Sequence, residues 1–275
     1  MSRSIASARS WLFVPGDRPD RFAKAAATAD AVILDLEDAV PSDRKAEARI
    51  SVGDFLANGT CDEAVVAVRI NPVETLAGLE DLRALLRPGL ALDAIVAAKV
   101  EGSASLCLID RLASEAGLGA RLVALIESAR GLHHVGSIAG ACERLSGLMF
   151  GAADYSADLG QSPEVLDAGY ARAAIANAAA MEGLVAIDSP FFSIDDAAAL
   201  AQSCAAATGL GFHAKAAIHP KQVPLINDGF SPSAEEIERA TRVLQLSDGG
   251  ASAIDGKMID IAILRWARGI VSRAV

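Results

Sequence analysis

Glu127 ends the apolar run Leu122–Ile126, and Asp154 follows the run Gly147–Phe150 after one intervening crossover segment. Two carboxylates presented this way, with no nearby Cys and no His at metal spacing, suit a hard, oxygen-seeking cation such as Mg²⁺. Magnesium is commonly held by one or two protein carboxylates, with water and substrate completing the shell, so a pair suffices. The competing reading is structural: either carboxylate caps a helix or pairs with a neighbour such as Arg130. Upstream, Asp35-Leu36-Glu37-Asp38 places three carboxylates in four residues. Strand alternation turns Asp35 and Glu37 to one side, where they hold metal-bound water, orient basic groups opposite, or simply end a strand before the turn at Pro41. Arg69 emerges from Val65-Val66-Ala67-Val68. A guanidinium there can grip a carboxylate in a fork or stabilise a developing enolate, and an ion pair with Asp35 or Glu37 is compatible with both. Lys99 ends another apolar run; deprotonated, it would form a Schiff base with a carbonyl substrate. Nothing local demands that state. His219, before Pro220, is a general base or a loop-orienting group, and His133-His134 lack metal spacing.

These residues need a scaffold that brings strand ends together. Apolar runs read as strands at Trp11–Val14, Ala31–Leu36, Ala64–Ile70, Ala94–Ala98, Leu122–Ile126, Gly147–Phe150, Leu184–Ile187 and Phe212–Ala217. Near-continuous apolar character is what a strand covered on both faces requires. Segments long enough for crossover helices separate them, among them Arg18–Ala29, Leu76–Leu86, Ser103–Ala116 and Ile194–Thr208. Strand and crossover repeated eight times predict an α/β fold of the (β/α)₈ TIM-barrel class. The rival, an open doubly wound sheet, usually carries a Gly-rich phosphate loop after its first strand, and none is present. In a barrel the residues just past each strand converge on one mouth. That register collects Asp17 and Arg18, Asp35, Glu37, Asp38, Arg69, Asn71, Lys99, Glu101, Glu127, Asp154, Asp188 and His219. The barrel is expected over residues 1–222. Residues 223–275, with Ser233 and Glu236 at capping-box spacing and a Gly/Ser/Asp-rich break at Ser247–Ala253, form a C-terminal helical lid or oligomer contact.

Composition sets the bounds. In 275 residues, 52% are hydrophobic but only 4% aromatic, so the core is built from Ala, Val, Leu and Ile and disorder is excluded. A net charge of −10 argues against nucleic acid or an anionic membrane surface as partner. Cys61, Cys107, Cys142 and Cys204 are scattered without zinc or disulfide patterning, as in a reducing compartment. The opening MSRSIASARSWLFVPG holds no apolar stretch of signal-peptide length, and no run approaches the ~18 residues of a membrane span. A soluble, cytoplasmic chain is expected.

Taken together, Trp11-Leu12-Phe13-Val14-Pro15-Gly16-Asp17-Arg18, Val32-Ile33-Leu34-Asp35-Leu36-Glu37-Asp38-Ala39-Val40, Val68-Arg69-Ile70-Asn71, Ile126-Glu127-Ser128-Ala129-Arg130-Gly131, Gly151-Ala152-Ala153-Asp154 and Ala217-Ile218-His219-Pro220 resemble the citrate lyase β-subunit-like proteins. These belong to the HpcH/HpaI aldolase superfamily, with malyl-CoA and citramalyl-CoA lyases among their relatives. The resemblance spans almost the whole chain in motif order. It implies a Mg²⁺-dependent carbon–carbon lyase acting on a hydroxy-dicarboxylic or tricarboxylic acyl-CoA (citryl-, malyl- or citramalyl-CoA-like), giving a 2-oxo acid and a short acyl-CoA. Its metal ligands fall on Glu127 and Asp154, and its catalytic, substrate-binding arginine on Arg69. Gly151 and Ala152 fall among the substrate-binding residues, with Asp35, Glu37, Asp38 and Lys99 in support. Arg18, Arg21 and Lys24 correspond to the segment that contacts coenzyme A. The family's C-terminal segment closes over a neighbouring subunit and supplies an acid, which implies Asp260 acting in trans and a homotrimer or hexamer. The chain departs from the family at Ala153, where several relatives are acidic, and at Ala97-Ala98-Lys99, where many have Leu-Pro-Lys. Thioester hydrolysis on the same scaffold, and a non-catalytic subunit of a larger complex, remain as alternatives.

Overall fold

The computed structural model describes residues 4–58, 63–246, 252–254 and 257–273; Cys61 and part of the expected Gly/Ser/Asp-rich break lie outside the described residues. Eight strands form where the apolar runs predict them: β1 (Ser10–Pro15), β2 (Ala31–Asp35), β3 (Val65–Ile70), β4 (Ala94–Ala97), β5 (Arg121–Ile126), β6 (Leu145–Phe150), β7 (Val185–Asp188) and β8 (Ala214–Ala217). All pair in parallel in chain order, and β1 also pairs with β8, so the sheet closes into a (β/α)₈ barrel.

The interior shows why few aromatics suffice. Ile33, Val96, Val123, Leu125 and Ile187 interleave with the small side chains of Ala31, Ala67, Ala94, Ala214 and Ala216. Trp11 fills the lower layer, and its indole N–H donates to the Ala8 carbonyl at 3.3 Å. Period-two alternation then fixes which residues crown this core. Ala31 and Ile33 point inward, so Asp35 does. Ala67 carries Arg69 with it, Leu125 carries Glu127, and Met149 carries Gly151. The chemical layer is thus the continuation of the hydrophobic one, one pleat higher.

The same alternation corrects the placement of Asp188. Ile187 is an inner residue, so Asp188 faces the outer wall, as does Lys215, which lies between the inward Ala214 and Ala216. Asp188 accepts a 2.5 Å bond from Lys215 Nζ and a 2.8 Å bond from Arg172 Nε on the helix Gly169–Glu182. Both Asp188 and Lys215 are fully buried, and neither belongs to the mouth. The crossover expected at Arg18–Ala29 is also shorter than its pattern suggests. Pro19 opens a 3₁₀ turn (Pro19–Arg21), and the α-helix spans only Phe22–Ala26. His219 is a capping residue: its ring accepts from the Lys221 N–H at 3.1 Å, while Gln222 closes the box.

The chain divides into two compact units, Met1–Gly229 and Phe230–Val275. The first runs on to Gly229, beyond residue 222: the helix Val223–Phe230 buries Val223 and Ile226, and its Gly229 lies against Cys204 and accepts from Thr208 on the helix Ala197–Gly209. In the second, Ser233 and Glu236 form the predicted capping box, their N–H and side-chain bonds reciprocal. The helices Ala234–Leu246 and Ile261–Arg273 bury Ala240, Val243, Ala267 and Ile270 between them. Among the described residues no helix is long and apolar enough to cross a membrane.

Removing Asp188 would strand Lys215 as an uncompensated buried charge. Asp188→Ala is expected to cost about 3–5 kcal/mol in urea denaturation, with most of it recovered in the Asp188→Ala/Lys215→Met double variant. A loss below about 1 kcal/mol for the single variant would contradict this account of the wall.

Candidate active site

Asp35 and Arg69 are direct neighbours in the β2–β3 register. Arg69 donates to both Asp35 oxygens, Nε at 2.7 Å and Nη2 at 2.6 Å, and its remaining Nη1 reaches Glu37 at 2.9 Å. Burial alone would pull the guanidinium down, but the Asp35 bonds and the charges of Asp35, Glu37 and Glu127 hold it above its ordinary range. It is therefore a fixed positive charge, with Phe13 stacked 4.9 Å beneath it. The expectation that Asp35 and Glu37 orient a basic group opposite is met by these bonds.

The turn carrying Glu37 is braced by Asn71 together with Lys45, Asp81 and Arg49, three residues that the strand-end register does not collect. Lys45 Nζ donates to the carbonyls of Leu36 and Glu37 and to Asn71 Oδ1, at 2.8 to 2.9 Å. Asn71 in turn donates to buried Asp81, which also binds Arg49. One sign was available for Asp81: it sits with Gly78, Leu82 and Leu85 on the buried stripe of the helix Leu76–Leu85, where a lone carboxylate must have a partner. Lys45 carried no such signal, because long surface lysines at helix starts are ordinary.

Lys99 spans the site. Its ammonium binds Glu37, lies 3.2 Å from Asp38, and is 3.9 Å from Asp154. Burial would lower Lys99, yet the hydrogen bond it donates to Glu37 and the surrounding carboxylates raise it above its usual value. That favours an ammonium, the form in which Lys99 does not attack a carbonyl.

Glu127 is buried, and its Oε1 accepts the Lys99 backbone N–H at 2.7 Å. Burial first, then the nearby charges of Asp154 and Glu37, push its carboxyl up to about 8. A carboxylate crowded by two others in a poorly solvated site is short of positive charge. Gly151 supplies the room: a Cβ there would fall 2.5 Å from Glu127 Cβ and 2.7 Å from Oε2. Asp154, in the first turn of the helix Ala152–Asp158, has a 41% exposed side chain turned toward the same space. Arg130, the structural alternative as partner, instead meets Glu101 at 3.4 Å and stays largely exposed. Two oxygen donors, one dry and one wet, with a glycine cradle behind them, fit Mg²⁺ with its waters.

Phe13, Asp35, Asp38, Arg69, Glu127 and Asp154 line a cavity of about 280 Å³, with Phe192 and Ile218 also on its lining. Gly151 and Ala152 line it as well. A larger cleft of about 820 Å³ lies at the opposite barrel end, but its Arg121 is engaged by Ser146 and the Glu143 carbonyl, and it assembles no comparable group. Arg18, Arg21 and Lys24 are outside the cavity; Arg18 forms a two-point pair with Asp20 on the surface. Asp260 belongs to the second unit, where its exposed carboxylate accepts the Ile263 N–H at 3.0 Å.

Residues 9–220 match the family described as HpcH/HpaI aldolase/citrate lyase, and residues 175–275 match a C–C bond lyase of the TIM-barrel fold. A citrate lyase subunit beta-like protein of Mycobacterium tuberculosis (strain CDC 1551 / Oshkosh) is 37% identical, covering 98% of this chain and 96% of that protein. The L-malyl-CoA/beta-methylmalyl-CoA lyase of Rhodobacter capsulatus is also 37% identical, over 97% and 94%. Among solved structures, CitE from Mycobacterium tuberculosis in complex with magnesium, acetoacetate and coenzyme A superposes with a TM-score of 0.82 at 35% identity, covering 98% and 99% of the two chains. RipC from Yersinia pestis superposes with a TM-score of 0.75 at 42% identity, over 85% of this chain and 100% of that one. With a closed barrel, a carboxylate pair and a clamped arginine at its mouth, the chain belongs to the HpcH/HpaI aldolase/citrate lyase family of carbon–carbon lyases.

Proposed function

We propose that this protein is a Mg²⁺-dependent lyase that cleaves a hydroxy-dicarboxylic or tricarboxylic acyl-CoA of the citryl-, malyl- or citramalyl-CoA type into a 2-oxo acid and a short acyl-CoA. The observation that carries this reading is the meeting of Glu127, Asp154 and Arg69 on one cavity at the C-terminal end of the barrel. Support comes from the relatives named as malyl-CoA lyase and from the CitE complex with magnesium, acetoacetate and coenzyme A. A bound Mg²⁺ supplies a Lewis acid and template for the carboxylate and oxygen of the 2-oxo acid half.

Glu127 and Asp154 hold the ion, and Gly151 keeps Glu127 in reach of it. Arg69, immobilised by Asp35, presents its charge to the substrate oxygen that becomes the oxo group as the C–C bond breaks. The substrate hydroxyl gives up its proton to solvent water as its oxygen becomes the oxo group, and the electron pair of the C–C bond passes to the acyl-CoA half as an enolate. The protonated carboxyl of Asp260 from a neighbouring copy donates its proton to the enolate carbon and is reprotonated from solvent. Arg18, Arg21 and Lys24 take the phosphates of coenzyme A at the surface beside β1. The trans-acting acid needs a neighbouring copy, and the resemblance to the family supports a homotrimer or hexamer. A cytoplasmic setting accords with the free thiols of Cys107, Cys142 and Cys204.

Three results are expected. With malyl-, citramalyl- and citryl-CoA offered in turn, at least one yields 2-oxo acid in step with acyl-CoA and without free thiol. Free thiol without 2-oxo acid would make the protein a thioesterase. Glu127→Gln abolishes Mg²⁺ binding in calorimetry and lowers turnover by about 10³-fold, whereas Gly151→Ala leaves the fold intact but weakens Mg²⁺ by tenfold or more, since the added methyl must displace Glu127. Unchanged affinity in Gly151→Ala would rule out the cradle. Finally, Asp260→Asn and Glu127→Gln are each inactive alone, but mixed oligomers of the two regain activity because an intact Asp260 can serve the neighbour's intact metal site. Failure of the mixture to regain activity would place Asp260 outside a shared site.

A further inference from the structure

Among the described non-glycine residues, Lys99 alone has a left-handed backbone, at φ 51°. Glycine would take this conformation without steric cost, whereas a side chain makes it unfavourable. A lysine retained at a position that suits glycine must contribute something through its side chain. Here the two halves of the residue do different work on the same group of acids. The bend at the end of β4 turns the Lys99 N–H onto Glu127 Oε1 on the neighbouring β5, and any residue could donate that bond. The ammonium, four carbons away, meets Glu37 and Asp38 and lies 3.9 Å from Asp154.

We propose that Lys99 is a built-in counter-cation of this site, neutralising its carboxylates when no divalent ion is present and competing with that ion for them. The inference rests on the assignment of Glu127 and Asp154 as the ion's ligands. Five carboxylates (Asp35, Glu37, Asp38, Glu127 and Asp154) share two cations, Arg69 and Lys99. Arg69 is committed to Asp35 and Glu37 by three short bonds and is almost enclosed, so it cannot follow the charge elsewhere. Lys99 can. Its side chain is 38% exposed, hangs on a flexible stem, and touches Asp154 only at the outer limit of an ion pair. Asp154 and Glu127, were they to hold a divalent ion, would set its charge beside the Lys99 ammonium, where repulsion in a poorly solvated pocket would be strong. The ammonium then withdraws toward Asp38 and water. Lys99 thereby stabilises the metal-free protein and limits how tightly the metal is held. It is a positioning residue, not one that touches the reacting atoms.

The test measures Mg²⁺ and Mn²⁺ binding to the metal-free full-length protein by calorimetry, with melting temperatures in EDTA and in saturating Mg²⁺. Lys99→Met keeps the backbone bond and removes the charge. It is expected to bind Mg²⁺ at least tenfold more tightly than wild type, to melt lower in EDTA, and to gain more from added Mg²⁺. Lys99→Arg, which keeps the charge, should return the affinity to within about threefold of wild type, a rescue that a purely structural role would not produce. Lys99→Gln repeats the neutral case should Lys99→Met fail to fold. Equal or weaker Mg²⁺ binding in a folded neutral variant overturns the proposal. Glu127→Gln separates the two layers of the argument. If it binds Mg²⁺ as wild type does, the ligand assignment falls and the counter-cation with it. If it loses the ion while the neutral Lys99 variants match wild type, only the role of Lys99 falls.

Discussion

The two-point bond between Arg69 and Asp35 is the interaction on which the mouth of this barrel depends. Both residues sit one pleat above the apolar core, on adjacent strands in exact register, and both are nearly enclosed. A buried guanidinium is tolerated only when its donors are met, and Asp35 meets two of them while Glu37 meets a third. The consequence is a rigid positive charge surrounded by acids. Because Arg69 is already spoken for, the acids farther across the mouth, Glu127 and Asp154, are left without a full partner. The surplus of negative charge that makes the site receptive to a cation is thus a by-product of how firmly its own arginine is held.

Support for that pair comes from outside the cavity. Lys45 fixes the Leu36 and Glu37 carbonyls, Asn71 ties β3 to the same turn, and Asp81 joins them to Arg49. These bonds keep the Asp35–Asp38 segment in one conformation although it carries three carboxylates. On the far side of the barrel, the Asp188–Lys215–Arg172 group does a similar job for the wall, with no part in the chemistry.

Much of this was legible in the residues themselves. Eight apolar runs with crossovers between them leave little choice but a closed parallel barrel, and the ends of β2, β3 and β5 bring Asp35, Arg69 and Glu127 to one mouth. Asp188 shows the limit of that logic. It stands at a strand end like the others, yet one residue of phase sends it through the wall, and the phase of a four-residue strand with apolar residues on both faces cannot be read from its pattern. The barrel boundary shows another: a count of strand–crossover units stops at residue 222, whereas the first compact unit runs on to Gly229. Lys45, the room that Gly151 leaves for Glu127 and the bend at Lys99 were invisible for a third reason. Their roles are close approaches between segments far apart in the chain, and neither residue type nor spacing records a contact of that kind.

The central claim is that the unbalanced carboxylates beside a clamped arginine form a divalent-ion site. Its most direct measurement is anomalous scattering from crystals soaked in Mn²⁺ with a 2-oxo acid. The account predicts one strong peak bridged by Glu127 and Asp154, with the oxo acid between that peak and Arg69. A peak elsewhere, or an oxo acid bound at Arg69 with no metal between the two carboxylates, would contradict it.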